Sequence, residues 1–236
     1  MTGDARRRWA WADIDLDAIR HNVEHLRAAV APSGLWAVVK ANGYGHGAVD
    51  VARAALAGGA DGLCVALVQE GLDLRERGIA APILLLSEQP LAAASDIVRH
   101  DLTATVYTTE YVDALAAAAR DAGRVDVAVH VKVDTGMQRV GVDAAGTAAL
   151  VGHVAERGPT LRLEGVFTHL AVADDPTDPF TTTQLERFDS VLEELGDAAP
   201  PIVHAANSAA ALTSTAARRS FVRAGIAVYG ISPGEG

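Results

Sequence analysis

Short apolar runs that stop at a polar residue or a glycine-rich turn alternate along this chain with alanine-rich stretches in which apolar residues recur every three or four positions. The first pattern belongs to buried strands and the second to amphipathic helices. The strand pattern falls on residues 35–40, 62–67, 83–86, 103–107, 127–133, 163–169, 202–205 and 221–226. Helices are predicted between them, at 47–57, 110–122, 144–156 and 183–196 among others. Asp15 is placed to cap an earlier helix whose inward positions are Ile19, Val23, Leu26 and Val30. Residues 9–14 read as an extra strand. Residues 171–182, with Asp174-Asp175-Pro176 and Asp178-Pro179, read as a mobile surface loop.

Strands alternating with helices call for an α/β fold with a parallel sheet, and eight such repeats in about 200 residues match the smallest (β/α)8, or TIM, barrel. No linker divides the chain, so residues 1–236 read as one barrel, with 1–14 as an amino-terminal extension and strand. The fifth run tests this reading. Val127, Val129, Val131 and Val133 suit the layer against the helices, which turns His130, Lys132 and Asp134 into the barrel. Inward polar groups are expensive there unless they are paired or serve a site. His130 reads as a satisfied barrel histidine, and Asp134 as a turn residue or arginine partner. By the same parity Trp36, Val38 and Lys40 share one side of the first strand.

The formal charge of −10 argues against nucleic-acid and anionic-membrane partners, which need clustered cations. Arg6-Arg7-Arg8 reads as a solvated tail. No run approaches the roughly 18 apolar residues of a membrane span, and no signal peptide is visible, so a soluble cytoplasmic protein is expected. The single cysteine, Cys64, lies in an apolar run and reads as a buried thiol, and no metal-ligand spacing stands out.

The lysines change the picture. Only Lys40 and Lys132 stand against eighteen arginines, and each sits at the end of a predicted strand. Lysine offers an amine that can lose its proton, attack a carbonyl and form a Schiff base, which arginine cannot do. In barrels the working face lies at the carboxyl ends of the strands. Those ends gather Lys40 and Tyr44, then Lys132, Asp134 and Arg139, then His169, Asn207 and Ser208, and finally Arg223, Gly225 and Ile226. The loops after the last two strands fit a phosphate cradle, in which Ser208 supplies a hydroxyl and Gly225 lets its N–H face an anion.

Val38-Val39-Lys40-Ala41-Asn42-Gly43-Tyr44-Gly45-His46-Gly47 closely resembles the cofactor-attachment motif of the alanine racemases. Lys132 to Arg139, Thr168-His169, His204 to Ser208 and Val222 to Gly230 extend the resemblance, in the family's order, from Asp13 to Gly230. It implies a pyridoxal 5'-phosphate enzyme that interconverts L-alanine and D-alanine for peptidoglycan synthesis. Lys40 would form the Schiff base and act as a catalytic base, and Tyr44, Ser208, Gly225 and Ile226 would hold the phosphate, with Asn207 beside them. Arg139 would meet the cofactor's phenolic oxygen and the substrate carboxylate. Arg223 would donate to the pyridine nitrogen with His169 next to it, and both count with Lys40 as catalytic. Lys132 would support Arg139, and in some relatives the matching lysine is carbamylated.

In the family a second proton donor, a tyrosine, comes from a carboxyl-terminal β domain of the neighbouring subunit in a homodimer. No tyrosine of this chain matches it, so the chain is expected to be the cofactor-binding half, impaired on its own. Three alternatives stay open from the residues: a single-domain pyridoxal-phosphate carrier, a broader amino-acid racemase or aldolase on the same barrel, and a purely structural barrel.

Overall fold

The computed structural model describes residues 11–234. Eight parallel strands form the barrel: β1 (Gly34–Val38), β2 (Gly62–Val65), β3 (Ile83–Leu85), β4 (Ala104–Val106), β5 (Val127–Asp134), β6 (Leu161–Phe167), β7 (Ile202–His204) and β8 (Phe221–Ala224). They pair in the order β3-β2-β1-β8-β7-β6-β5-β4, and a bridge between Leu84 and Thr103 brings β3 against the start of β4. Among the described residues, eight helices of six residues or more lie around and between them: α1 (Leu16–Val30), α2 (Ala48–Ala57), α3 (Val68–Glu76), α4 (Ala94–Arg99), α5 (Thr109–Asp121), α6 (Thr147–Ala155), α7 (Phe180–Leu195) and α8 (Ser208–Thr213). The expected (β/α)8 barrel is the observed fold. Among the described residues, no helix is long and apolar enough to cross a membrane.

The periodicities work as read. Asp15 accepts from the Ala18 N–H at 3.0 Å, and α1 buries the four predicted positions Ile19, Val23, Leu26 and Val30. Val127, Val129, Val131 and Val133 join the main core under the helices, while His130 and Lys132 are buried on the other face of β5. A separate small cluster of Trp36, Val38, Cys64 and Leu84 fills part of the barrel interior.

Three expectations need correction. Residues 11–14 form no strand, while the rest of the run 9–14, like Arg6-Arg7-Arg8, lies outside the described residues. Residues 171–179 are the surface loop expected, exposed at 174–177, but 180–182 belong to α7, and the loop is tethered at its start by buried Ala173 and a 2.8 Å bond from the Ala171 N–H to Gln184 Oε1. The first strand stops at Val38, two residues short of Lys40, because the chain there enters a left-handed turn with φ of 52, 53, 62 and 51° at Ala41, Asn42, Gly43 and Tyr44. A non-glycine residue in that region costs about 1–2 kcal/mol. Polar clamps hold the turn. Glu70 accepts from the N–H groups of Ala41, Ala66 and Leu67, and Asn42 Oδ1 accepts from the Ala48 N–H at 3.0 Å. Strain of this kind persists where the surroundings fix it, and it is common at functional sites.

Candidate active site

A cavity of about 530 Å³ opens at the carboxyl ends of the strands. Lys40, Tyr44, Lys132, Arg139, His169, Asn207, Ser208, Arg223, Gly225 and Ile226 all line it, whereas Asp134, gathered with them from the strand ends, does not. The left-handed turn accounts for the first two. It folds the chain back at the end of β1 and sets the Lys40 Nζ 5.8 Å from the centre of the Tyr44 ring. Tyr44 also packs on Tyr229, whose hydroxyl is tied to the Val38 carbonyl at 3.0 Å. Burial, with Cys64 nearby, raises the Tyr44 pKa, so its phenol remains a neutral donor.

The phosphate-cradle expectation needs one change. The Gly225 N–H does not face the cavity as a free donor; it donates to Ser208 Oγ at 2.8 Å, and the Ala227 N–H reaches the same oxygen at 3.3 Å. A hydroxyl accepts at most two such bonds and keeps one proton to donate. The two backbone donors therefore leave the Ser208 O–H as a polarised donor for an anion. Gly225 still matters as space, since a Cβ there would sit 2.8 Å from the Tyr44 hydroxyl. Asn207 caps α8 by accepting from the Ala210 N–H at 3.1 Å, which commits its carbonyl and leaves its amide N–H groups.

Arg223 is buried at the centre. Its Nη1 donates to His204 Nδ1 at 2.7 Å, and its Nη2 donates to the carbonyls of Thr168 and Ala205 and reaches His169 Nδ1 at 3.3 Å. Burial lowers its pKa to about 10, which still leaves it a cation at neutral pH. The guanidinium lies 5.0 Å from the Phe167 ring, and the Lys132 Nζ lies 5.4 Å from the same ring. Lys132 donates to the Leu86 carbonyl at 3.0 Å, and burial, then Arg223 and Arg139, pull its pKa to about 7. His169 falls to about 3, from burial first and then the charges of Arg223, Lys132, Arg139 and Lys40, so it is a neutral imidazole at physiological pH. Four cations thus act on one histidine in a chain of net charge −10. That local field suits an anionic ligand.

Asp134 proves to be the turn residue. Its Oδ1 accepts from the N–H groups of Gly136 and Gln138 and shapes the loop that carries Arg139. Cys64 is fully buried with its thiol pushed up to about 12, chiefly by burial. Among the described residues no cluster is arranged to hold a metal. Phe167 and His204, which stack with ring centres 4.5 Å apart, were not singled out from the sequence as site residues.

The comparisons with known proteins agree with this geometry. Residues 14–233 match the family model described as alanine racemase, N-terminal domain. The alanine racemase of Symbiobacterium thermophilum is 46% identical over 231 residues, covering 97% of this chain and 61% of that protein. The solved alanine racemase from D-cycloserine producing Streptomyces lavendulae superposes with a TM-score of 0.89 at 41% identity, over 93% of this chain and 58% of that one. That of Clostridium difficile 630, solved in complex with cycloserine, gives 0.88 at 35%, over 94% and 62%. The chain spans about three fifths of the length of these relatives. It belongs to the alanine racemase family and corresponds to that family's N-terminal barrel domain.

Proposed function

We propose that this chain is the cofactor-binding barrel of an alanine racemase, an isomerase that uses pyridoxal 5'-phosphate to interconvert L-alanine and D-alanine as a homodimer. The observation that carries the reading is a primary amine, Lys40, held at the mouth of a cationic cavity whose other wall presents the Ser208 hydroxyl and the Gly225 hollow. The fit is chemical as well as spatial. Tyr44 and Ser208 supply neutral hydroxyl donors for a phosphate, and Gly225 leaves the hollow that a side chain would fill. Bound there, the cofactor supplies an aldehyde that captures amines and a ring that delocalises the charge left by a departing α-proton.

The chain's own residues then divide the work. Lys40 Nζ holds the cofactor and takes and returns the proton on one face of the substrate Cα. Arg223 would offer a donor to the ring nitrogen while keeping its own proton, which would limit how strongly the ring withdraws electrons and favour simple proton return. His169, neutral and bonded to Arg223, orients the guanidinium. Arg139 receives the substrate carboxylate, and the opposite-face proton is assigned to a tyrosine of the family's second domain on the neighbouring subunit.

The direct test is chemical. The protein is incubated with pyridoxal phosphate, reduced with borohydride and digested, and the pyridoxyl label is expected on the peptide containing Lys40. A label elsewhere, or none at saturation, removes the proposal. A second prediction concerns the hollow. Gly225→Ala places a methyl 2.8 Å from the Tyr44 hydroxyl, so the phenol must shift. Pyridoxal-phosphate affinity should fall roughly tenfold, the scale of one lost charge-assisted hydrogen bond, in a fluorescence titration with unchanged circular dichroism.

A further inference from the structure

Arg223 is the first member of a chain of buried polar side chains that runs through the barrel to its other end. His204 Nδ1 accepts from Arg223 Nη1 at 2.7 Å, and His204 Nε2 lies 2.9 Å from His130 Nδ1. His130 Nε2 lies 3.1 Å from Glu164 Oε2, and the other carboxylate oxygen of Glu164 accepts from Arg162 Nη2 at 3.1 Å. Glu164 and Arg162 line a second cavity, of about 310 Å³, together with Trp36, Asp126 and Phe221. Both histidines are fully buried.

The backbone is shaped for this contact. β5 pairs with β6 at Val129–Leu163 and then at His130–Gly165, so Glu164 is the extra residue of a bulge. Leu161, Leu163 and Val166 pack against the outer core, whereas Gly165 faces His130. The change of parity falls at the bulge, which aims the Glu164 carboxylate at the imidazole. Gly165 leaves the ring its space, because a Cβ there would lie 2.5 Å from His130 Cε1 and Nδ1.

The two ends of the chain dictate its proton pattern. A guanidinium only donates, so His204 Nδ1 must be bare and its Nε2 must carry the proton. His130 Nδ1 must then accept, so its own proton is on Nε2, directed at a carboxylate that only accepts. The Arg223 end and the Glu164 end demand the same tautomer at both rings. We propose that Glu164 is a positioning residue which, through His130 and His204, keeps a bare nitrogen in front of Arg223 and so fixes the guanidinium at the active site. The consequence for cofactor binding rests on the proposed function, whereas the tautomer pattern does not.

The isosteric variant Glu164→Gln tests this. Glutamine has one acceptor oxygen where Arg162 and His130 both need an acceptor. With the oxygen on Arg162, the amide N–H faces His130 Nε2, the proton moves to Nδ1, and the shift passes to His204, where an N–H then opposes Arg223. In Arg162→Met/Glu164→Gln the oxygen is released to His130 and the pattern returns. Nitrogen-15 shifts of the ring nitrogens, measured without cofactor, should show both histidines protonated at Nε2 in the wild type and the double variant. Glu164→Gln should show Nδ1 protonation. Pyridoxal-phosphate affinity should fall roughly tenfold in Glu164→Gln and recover in the double variant. Unchanged tautomers in Glu164→Gln, or no recovery in the double variant, would overturn the proposal. Expected tautomers in a protein that takes up no pyridoxal phosphate at all would instead remove the functional reading and leave the relay standing.

Discussion

Lys40→Arg is expected to abolish covalent capture of pyridoxal phosphate and to slow α-proton exchange from alanine by at least about a thousandfold. Arginine keeps the positive charge and most of the length of the side chain, so the cavity still attracts an anion. What it lacks is an amine that can give up a proton and expose a lone pair, and both the attack on an aldehyde and the abstraction of a proton need that lone pair. Binding and chemistry should therefore separate. Pyridoxal phosphate should still quench tryptophan fluorescence in Lys40→Arg, while borohydride leaves no label and deuterium from solvent no longer enters alanine. Lys40→Ala extends the argument, since truncation opens a space at the mouth that a small primary amine added to the buffer can enter. Methylamine should restore part of the exchange in Lys40→Ala and none in Lys40→Arg, whose guanidinium fills the space. Exchange that persists in both variants at the wild-type rate would show that another group removes the proton.

The site could be found from the sequence because strand parity and strand ends are written in it. The valine alternation of 127–133 turned His130 and Lys132 inward, and both are buried there. Other features depend on contacts between distant segments. The left-handed turn after Val39 is made by Glu70, about thirty residues downstream, which accepts from the Ala41 N–H. Asn42-Gly43 tolerates positive φ by itself, but Ala41 and Tyr44 carry no such mark. The bulge at Glu164 breaks the period on which parity depends, so a strand read as continuous from 163 to 169 gave no reason to aim Glu164 at His130. Gly225 signalled close backbone approach correctly. Its N–H partner was hidden because the Ser208 hydroxyl reaches it only when the starts of α8 and of the segment after β8 are side by side.

Lys132 gives the pH dependence with the clearest sign. Its folded pKa of about 7 lies well below its ordinary value of 10.5, chiefly because it is buried and then because Arg223 and Arg139 are close. Between those two values the unfolded chain binds the proton and the folded chain does not, so stability rises with pH across the window. Below the folded value both states are protonated and the penalty of a buried ammonium is felt in full. Lys132→Met removes it and nearly preserves volume, so on this account the variant should gain about 5 kcal/mol on the wild type near pH 6, with the advantage fading toward pH 10. Losing the donor to the Leu86 carbonyl subtracts about 1 kcal/mol at every pH and leaves the slope unchanged. Urea midpoints of the two proteins across that range, in buffers free of carbon dioxide, measure the difference directly, and parallel curves would refute the shift. Bicarbonate then adds a second arm. At pH 8 the amine is largely neutral, its lone pair can attack carbon dioxide with release of one N–H proton to solvent, and the resulting carbamate is an anion close to Arg139 and Arg223. Bicarbonate should therefore stabilise the wild type and leave Lys132→Met unmoved, because only the wild type can turn a buried neutral amine into a counter-ion for the neighbouring guanidiniums.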